Sequence, residues 1–152
     1  MVKKASHSND LPKALGVVLA DTYVLAVKTH GYHWNVTGMH FSALHALFDG
    51  QYTGLFAAAD ELAERIRALG QLAPGSMTQL LNLSSVTESG TKPQSAPAIL
   101  ADLVKAHEAV LVSIEAARVA AAAAADAVTD DLLIQRRTEH DKTLWMLRAH
   151  LA

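Results

Sequence analysis

The stretch KTHGYHWNVTGMHFSALHALFDG, residues 28–50, gathers His30, His33, His40 and His45 beside Trp34 and Asp49. Half of the chain's eight histidines therefore sit in one short segment. A second stretch, AADELAERIRALG at residues 58–70, adds Asp60 and Glu64. Imidazole and carboxylate without sulfur suit iron, manganese or zinc better than copper(I) or an iron–sulfur cluster. The chain has no cysteine, so thiolate zinc sites, thiol catalysis and disulfides are excluded together. Composition does not choose among the three metals.

Spacing decides which of these donors can meet. On one helix His45 and Asp49 share a face, as do Asp60 and Glu64, because residues four apart are neighbours. Eleven steps from Asp49 to Asp60 return the face to within roughly 20°. Along the axis, however, His45 and Asp60 lie about 22 Å apart, and metal–ligand bonds are only about 2.0–2.2 Å. One ion cannot bridge that gap within one chain. Two copies of the helix crossing antiparallel about a two-fold axis would bring the His45 end of one to the Asp60 end of the other, with His33 folding back to join. A metal pair inside a single bundle would call for inward glutamates and Glu-x-x-His motifs. The chain has no Glu-x-x-His, and its first helix has no glutamate.

The elements that must hold these donors read as helices. Asn9 or Asp10 caps the first, Pro12 sits in its opening turn, and Leu15, Val18, Leu19, Tyr23, Ala26 and Val27 recur at helical spacing to about Trp34. NVTG stops it. A second helix runs from about His40 to Leu69, with Gly70 as terminator and interior Gly50 and Gly54 placed to let another helix approach. A long connection follows, with a short helix near Met77 to Leu81. A third long helix fits Ala98 to Ala125 behind Ser95, and a fourth fits Asp130 to His150 with Thr129 as cap. The pattern predicts an all-α bundle of four long helices over residues 10–152, preceded by a flexible tail, residues 1–9.

With 51% apolar but only 5% aromatic residues, the 152-residue chain favours helices packed through small side chains in one domain. A formal charge of −2 announces neither nucleic acid nor membrane. MVKKASHSND turns polar where a signal sequence should become apolar, and VAAAAAADAV is too short to span a bilayer. The expected setting is the cytoplasm.

From Lys28 to Ser76 the chain closely resembles the Dps family, the DNA-protection-during-starvation mini-ferritins, through HWNVTG, FSALHALFD and ADELAERIRALG. The likeness extends more loosely from Leu11 to Leu151, through LNLSS and DKTLWML. It implies a ferritin-like four-helix bundle with a short helix in the long connection, assembled as a homo-oligomer into a hollow dodecameric shell. It implies a di-iron ferroxidase centre at the dimer interface, oxidising Fe(II) with hydrogen peroxide in preference to dioxygen and storing ferric mineral. Zinc or manganese would compete for the same ligands. By the same resemblance His33 and His45 are imidazole ligands, Asp60 and Glu64 are carboxylates from the neighbouring subunit, Asp49 is a further acidic group, and Trp34 lies beside the centre. Asp126, Asp130 and Asp131 resemble acidic residues lining iron-entry pores. Histidines bind metal only when deprotonated, so uptake should weaken in acid.

Each assignment has a plainer rival. His33 and His45 could be hydrogen-bonded structural residues, and Asp60 and Glu64 a solvated face that includes Arg65. Asp49 could bind a cation across the interface, and Trp34 could fill the core. Helix capping explains Asp130 and Asp131 almost as well as a pore. His30 and His40 read as structural or supporting residues. A purely structural oligomer holding zinc is one rival function, and direct DNA binding and compaction is another. The latter works through phosphate contacts of a basic tail, and here the tail offers only Lys3, Lys4 and His7, with Lys13 nearby.

Overall fold

The computed structural model describes residues 10–152, so the expected tail with Lys3, Lys4 and His7 lies outside the described residues. Five helices form: α1 (Asp10–Asn35), α2 (Phe41–Ala68), α3 (Met77–Leu83), α4 (Ala96–Ala123) and α5 (Ala127–Ala149). The four long ones make the bundle, and α3 lies in the long connection. No helix among the described residues is long and apolar enough to cross a membrane.

α1 packs along α2 and α4, and α4 along α5, while α2 and α5 meet only sparsely. Leu15, Leu25, Phe48, Leu62, Leu103, Ile114, Leu133 and Leu147 are buried in the shared core. Ala106, Ala117 and Ala121 on α4 are buried with them and let the helices draw close. The connection after α2 runs back along the bundle, because α4 begins beside the end of α1.

Three buried polar groups on α1 fasten that crossover. Asp21, fully buried, accepts hydrogen bonds from the Ser84 hydroxyl at 2.9 Å, from Ser85 through both N–H and hydroxyl, and from the Ser113 hydroxyl of α4. Lys28, also buried, donates to the Thr87 carbonyl at 2.8 Å and pairs with Asp102 at 2.7 Å. Tyr32 donates its hydroxyl to Asp102. Burial first, then the bond and charge of Asp102, push that phenol far above its ordinary range.

The helix ends show where sequence patterns succeed and fail. Gly70 stops α2 at φ 83°, with Gly70 N–H donating to Arg67 and Gln71 N–H to Ile66, the doubly bonded end that favours glycine. α4 ends the same way, but Ala125 takes the left-handed position, at φ 54°. That conformation costs a residue with a β-carbon roughly 1–2 kcal/mol, and glycine's greater loss of chain freedom offsets roughly 0.5–1 kcal/mol. Ala125→Gly is therefore expected to stabilise the fold by about 0.5–1 kcal/mol, read as a higher unfolding temperature.

The cap of α5 is Asp126, not Thr129, and the helix starts earlier than the expected Asp130. The Asp126 carboxylate accepts from Thr129 N–H at 3.0 Å and from its hydroxyl. Thr129 is itself buried, and its hydroxyl accepts from Arg65 Nε at 2.8 Å. An aspartate three residues before a donor outcompetes a threonine already committed inside the first turn. Arg65 also donates to both Asp126 oxygens, at 2.9 and 2.8 Å.

Burial works to raise the Asp126 pKa, but the Thr129 hydroxyl and N–H and then Arg65 outweigh it and hold the group at about 2, below the usual 3.8. A depressed carboxylate contributes stability that is complete above its unfolded value and is lost as pH falls through the folded one. The stabilisation should thus fade between about pH 4 and pH 2. Asp126→Asn should flatten the acid limb of a stability–pH curve across that window.

Candidate metal centre

α1 and α2 lie side by side, and the turn between them, with Gly38 at φ 106°, returns the chain so that His33 faces His45. The two rings stack with centroids 3.7 Å apart and planes 18° from parallel. Their hydrogen bonds are reciprocal. His33 Nδ1 donates to the His45 carbonyl and His45 Nδ1 to the His33 carbonyl, each at 2.8 Å. A carbonyl can only accept, so both rings carry a proton on Nδ1. In the neutral form both then present a bare Nε2 lone pair, the arrangement a metal-binding imidazole needs.

The stacking also limits what the pair can hold. An imidazole lone pair lies in its ring plane, and planes this nearly parallel do not converge within bonding reach, about 2 Å. The two rings therefore suit two ions held close, rather than one shared ion.

Asp49 accepts from the Tyr52 hydroxyl at 2.8 Å, and this bond, then burial, raises the Tyr52 phenol above its ordinary pKa. Tyr52 stacks on His30 at 3.9 Å and meets His33 edge-on at 5.3 Å. Trp34 lies 4.1 Å from the His30 ring and is 63% exposed, so it is no core filler within the chain. Phe41 stacks on His45. Sequence reasoning missed Tyr52, although its position three residues after Asp49 was a legible signal. His40 precedes α2 and caps it with no side-chain bond.

Asp60 and Glu64 are exposed on the far half of α2, which runs as one helix through Gly50 and Gly54. Arg65 is engaged by Asp126 and Thr129 and makes no ion pair with either carboxylate. Among the described residues, no three His, Asp or Glu side chains of one chain converge on a possible metal position. At the start of α5, Asp126 and Asp130 pair with Arg65 and Arg118, and Asp131 accepts from Gln135.

Large apolar side chains stay uncovered around the histidine pair, including Trp34, Met39 and Phe41. Others lie elsewhere, including Leu72, Met77, Val112, Val119 and Trp145. Contiguous exposed apolar surface marks interaction faces, and Trp34, Met39 and Phe41 gather at the turn between α1 and α2.

Residues 12–152 match the ferritin-like domain family. DNA protection during starvation protein 2 of Bacillus anthracis is 36% identical over 139 residues, 91% of this chain and 94% of that one. The Listeria monocytogenes protein of the same description is 32% identical over 149 residues, 97% of this chain and 96% of its own. A Dps crystal structure from Bacillus brevis superposes with a TM-score of 0.93 at 32% identity, covering 98% of this chain and 99% of that one. Another from Vibrio cholerae, described as a member of a broad superfamily of ferritin-like diiron-carboxylate proteins, gives 0.90 at 33% identity, covering 96% and 91%. With its helix order, crossover and facing histidines all on one bundle, the chain belongs to the ferritin-like family, among its Dps proteins.

Proposed function

We propose that this protein oxidises Fe(II) at a site shared between two chains related by a two-fold axis, and stores the ferric product inside a hollow dodecamer. His33 and His45 of one chain would meet Asp60 and Glu64 of its mate. The observation that carries this reading is the reciprocal His33–His45 hydrogen bonding, which leaves two lone pairs ready for two ions. Asp60 and Glu64, without ion pairs among the described residues, fit the missing carboxylates, and Asp49, one turn after His45 on α2, would support the second ion. Uncovered apolar residues on several faces fit a closed shell with more than one kind of contact.

Two Fe(II) supply the two electrons that hydrogen peroxide needs: two Fe(II), one peroxide and two protons give two Fe(III) and two waters. A pair of ions avoids one-electron cleavage of peroxide to hydroxyl radical. Carboxylates favour Fe(III) over Fe(II), which drives the oxidation forward. Trp34, against His30, would give up an electron when a single iron is loaded. Asp131, which has no cationic partner among the described residues, is the best pore candidate of the three aspartates.

The test is ferric absorbance after Fe(II) is added to the assembled shell, with peroxide or with air alone. Fast ferric formation with one peroxide consumed per two irons supports the reading. A rate no higher than that of iron in buffer removes it and leaves a structural or zinc-holding oligomer. Protection of DNA follows from removing iron and peroxide and needs no DNA contact. A gel shift of the shell at rising salt, with and without residues 1–8, tests direct binding.

A further inference from the structure

We propose that the pocket between α2, α4 and α5 binds a small tetrahedral oxyanion, with inorganic phosphate as the probe. The pocket has a volume of about 310 Å³, and neither Asp60 nor Glu64 lines it. It arises because α2 turns Ala46, Gly50 and Gly54 towards α5 at successive four-residue steps. A β-carbon on either glycine would meet nothing within 4 Å. Within one chain α2 and α5 stay apart beside these glycines, so among the described residues no helix makes the close approach their pattern suggested.

Three polar residues lining the pocket have buried atoms without any hydrogen-bond partner: both amide atoms of Gln51, Nε2 of His107 and Nε of Arg136. Native interiors leave few such groups, and here the residues that carry them line one pocket. His107 is 2% exposed and His140 3%, and their Nδ1 atoms are 2.8 Å apart. Burial pushes both imidazoles down, His107 well below its ordinary range with the neighbouring His140 adding to it, and His140 to about 4 with the Arg136 charge adding to it. Near neutral pH one proton therefore sits between two neutral rings. One ring donates from Nδ1 and keeps a bare Nε2, and the other keeps its proton on Nε2. The pair therefore has two neutral tautomers, which interconvert when the inner proton shifts between the Nδ1 atoms and a second proton leaves one Nε2 and joins the other, so that His107 Nε2 offers a lone pair in one and an N–H in the other.

The lining favours an anion over a cation. Arg136 has no carboxylate within ion-pairing distance among the described residues, and its guanidinium, the Gln51 amide, an imidazole N–H and Lys142 at the rim are all donors. Glu139 at the rim is the one acidic group lining the pocket. A guanidinium with neighbouring neutral donors is phosphate-binding chemistry. A metal ion would face the Arg136 charge with fewer than three acidic or imidazole ligands gathered around it.

Calorimetric titration of the iron-free shell with phosphate, in a buffer free of phosphate and sulfate, tests this. Saturable binding near one ion per subunit is expected, weakened at least tenfold by Arg136→Met. Gly54→Leu, which places a side chain in open space and improves helix propensity, should keep the shell assembled and abolish binding. Absence of saturable binding, or binding unchanged in both variants, would overturn the proposal. Tighter binding of AMP than of phosphate would overturn the assignment to the free ion. None of these outcomes depends on iron oxidation, so the proposal stands or falls apart from the ferroxidase reading.

Discussion

Asp60→Ala is expected to slow Fe(II) oxidation by more than the 10–100-fold typical of losing a mere supporting partner of a metal ligand, while leaving the fold intact. Asp60 is exposed and has no ion pair among the described residues, and substitutions at such positions usually change stability by less than about 0.5 kcal/mol. A solvated surface aspartate would give the opposite pattern, with neither quantity moving. His33→Ala should lose activity as well, but it also strips a hydrogen bond from the His45 carbonyl and loosens the turn between α1 and α2. The Asp60 variant is therefore the cleaner comparison, with stopped-flow ferric absorbance for rate and thermal unfolding for the fold.

The largest effect on stability should come from a residue with no part in the chemistry. Asp21→Ala takes away the shared acceptor of the Ser85 N–H and of the Ser84, Ser85 and Ser113 hydroxyls, and leaves Val86 N–H with the Ser84 hydroxyl alone. Hydrogen bonds to charged groups contribute about 1.5–3 kcal/mol each, and several are lost together. Destabilisation of at least about 3 kcal/mol is expected, with Asp21→Asn intermediate. Urea unfolding at fixed subunit concentration measures it. Because the bonds hold the crossover against α1, limited proteolysis should cut first between residues 84 and 95, before the long helices open. A variant that loses stability without that local cleavage would show that Asp21 supports the bundle and not the crossover.

These two residues also mark the boundary of what the sequence made legible. The helices could be read because each carries local signals: Ser95 caps α4, Gly70 ends α2, and the expected short helix at Met77 appears with Ser76 and Gln79 capping each other. The pairing of His33 with His45 followed from a short turn between neighbouring helices. What joins distant segments left no local trace. Asp21 meets Ser84, Lys28 meets Asp102 and His107 meets His140, and each pairing depends on how helices far apart in sequence are laid together. The cap of α5 was misplaced because Asp126 and Thr129 both fit the pattern, and only the engagement of Thr129 by Arg65 separates them. Gly50 and Gly54 allowed either a close contact or a gap, and bulky polar residues opposite them on α5 decide for the gap.

The division of the iron site between two chains is tested most directly by mixing inactive variants. His33→Ala and Asp60→Ala subunits are unfolded together and reassembled in equal amounts. In a two-fold dimer containing one of each, one site carries both lesions and the other carries none. Half the dimers are mixed and half of their sites are intact, so about a quarter of the wild-type oxidation rate should return although each parent shell is inactive. No recovery in the mixed shells, with both parents inactive, would place all the ligands in a single chain and contradict the account.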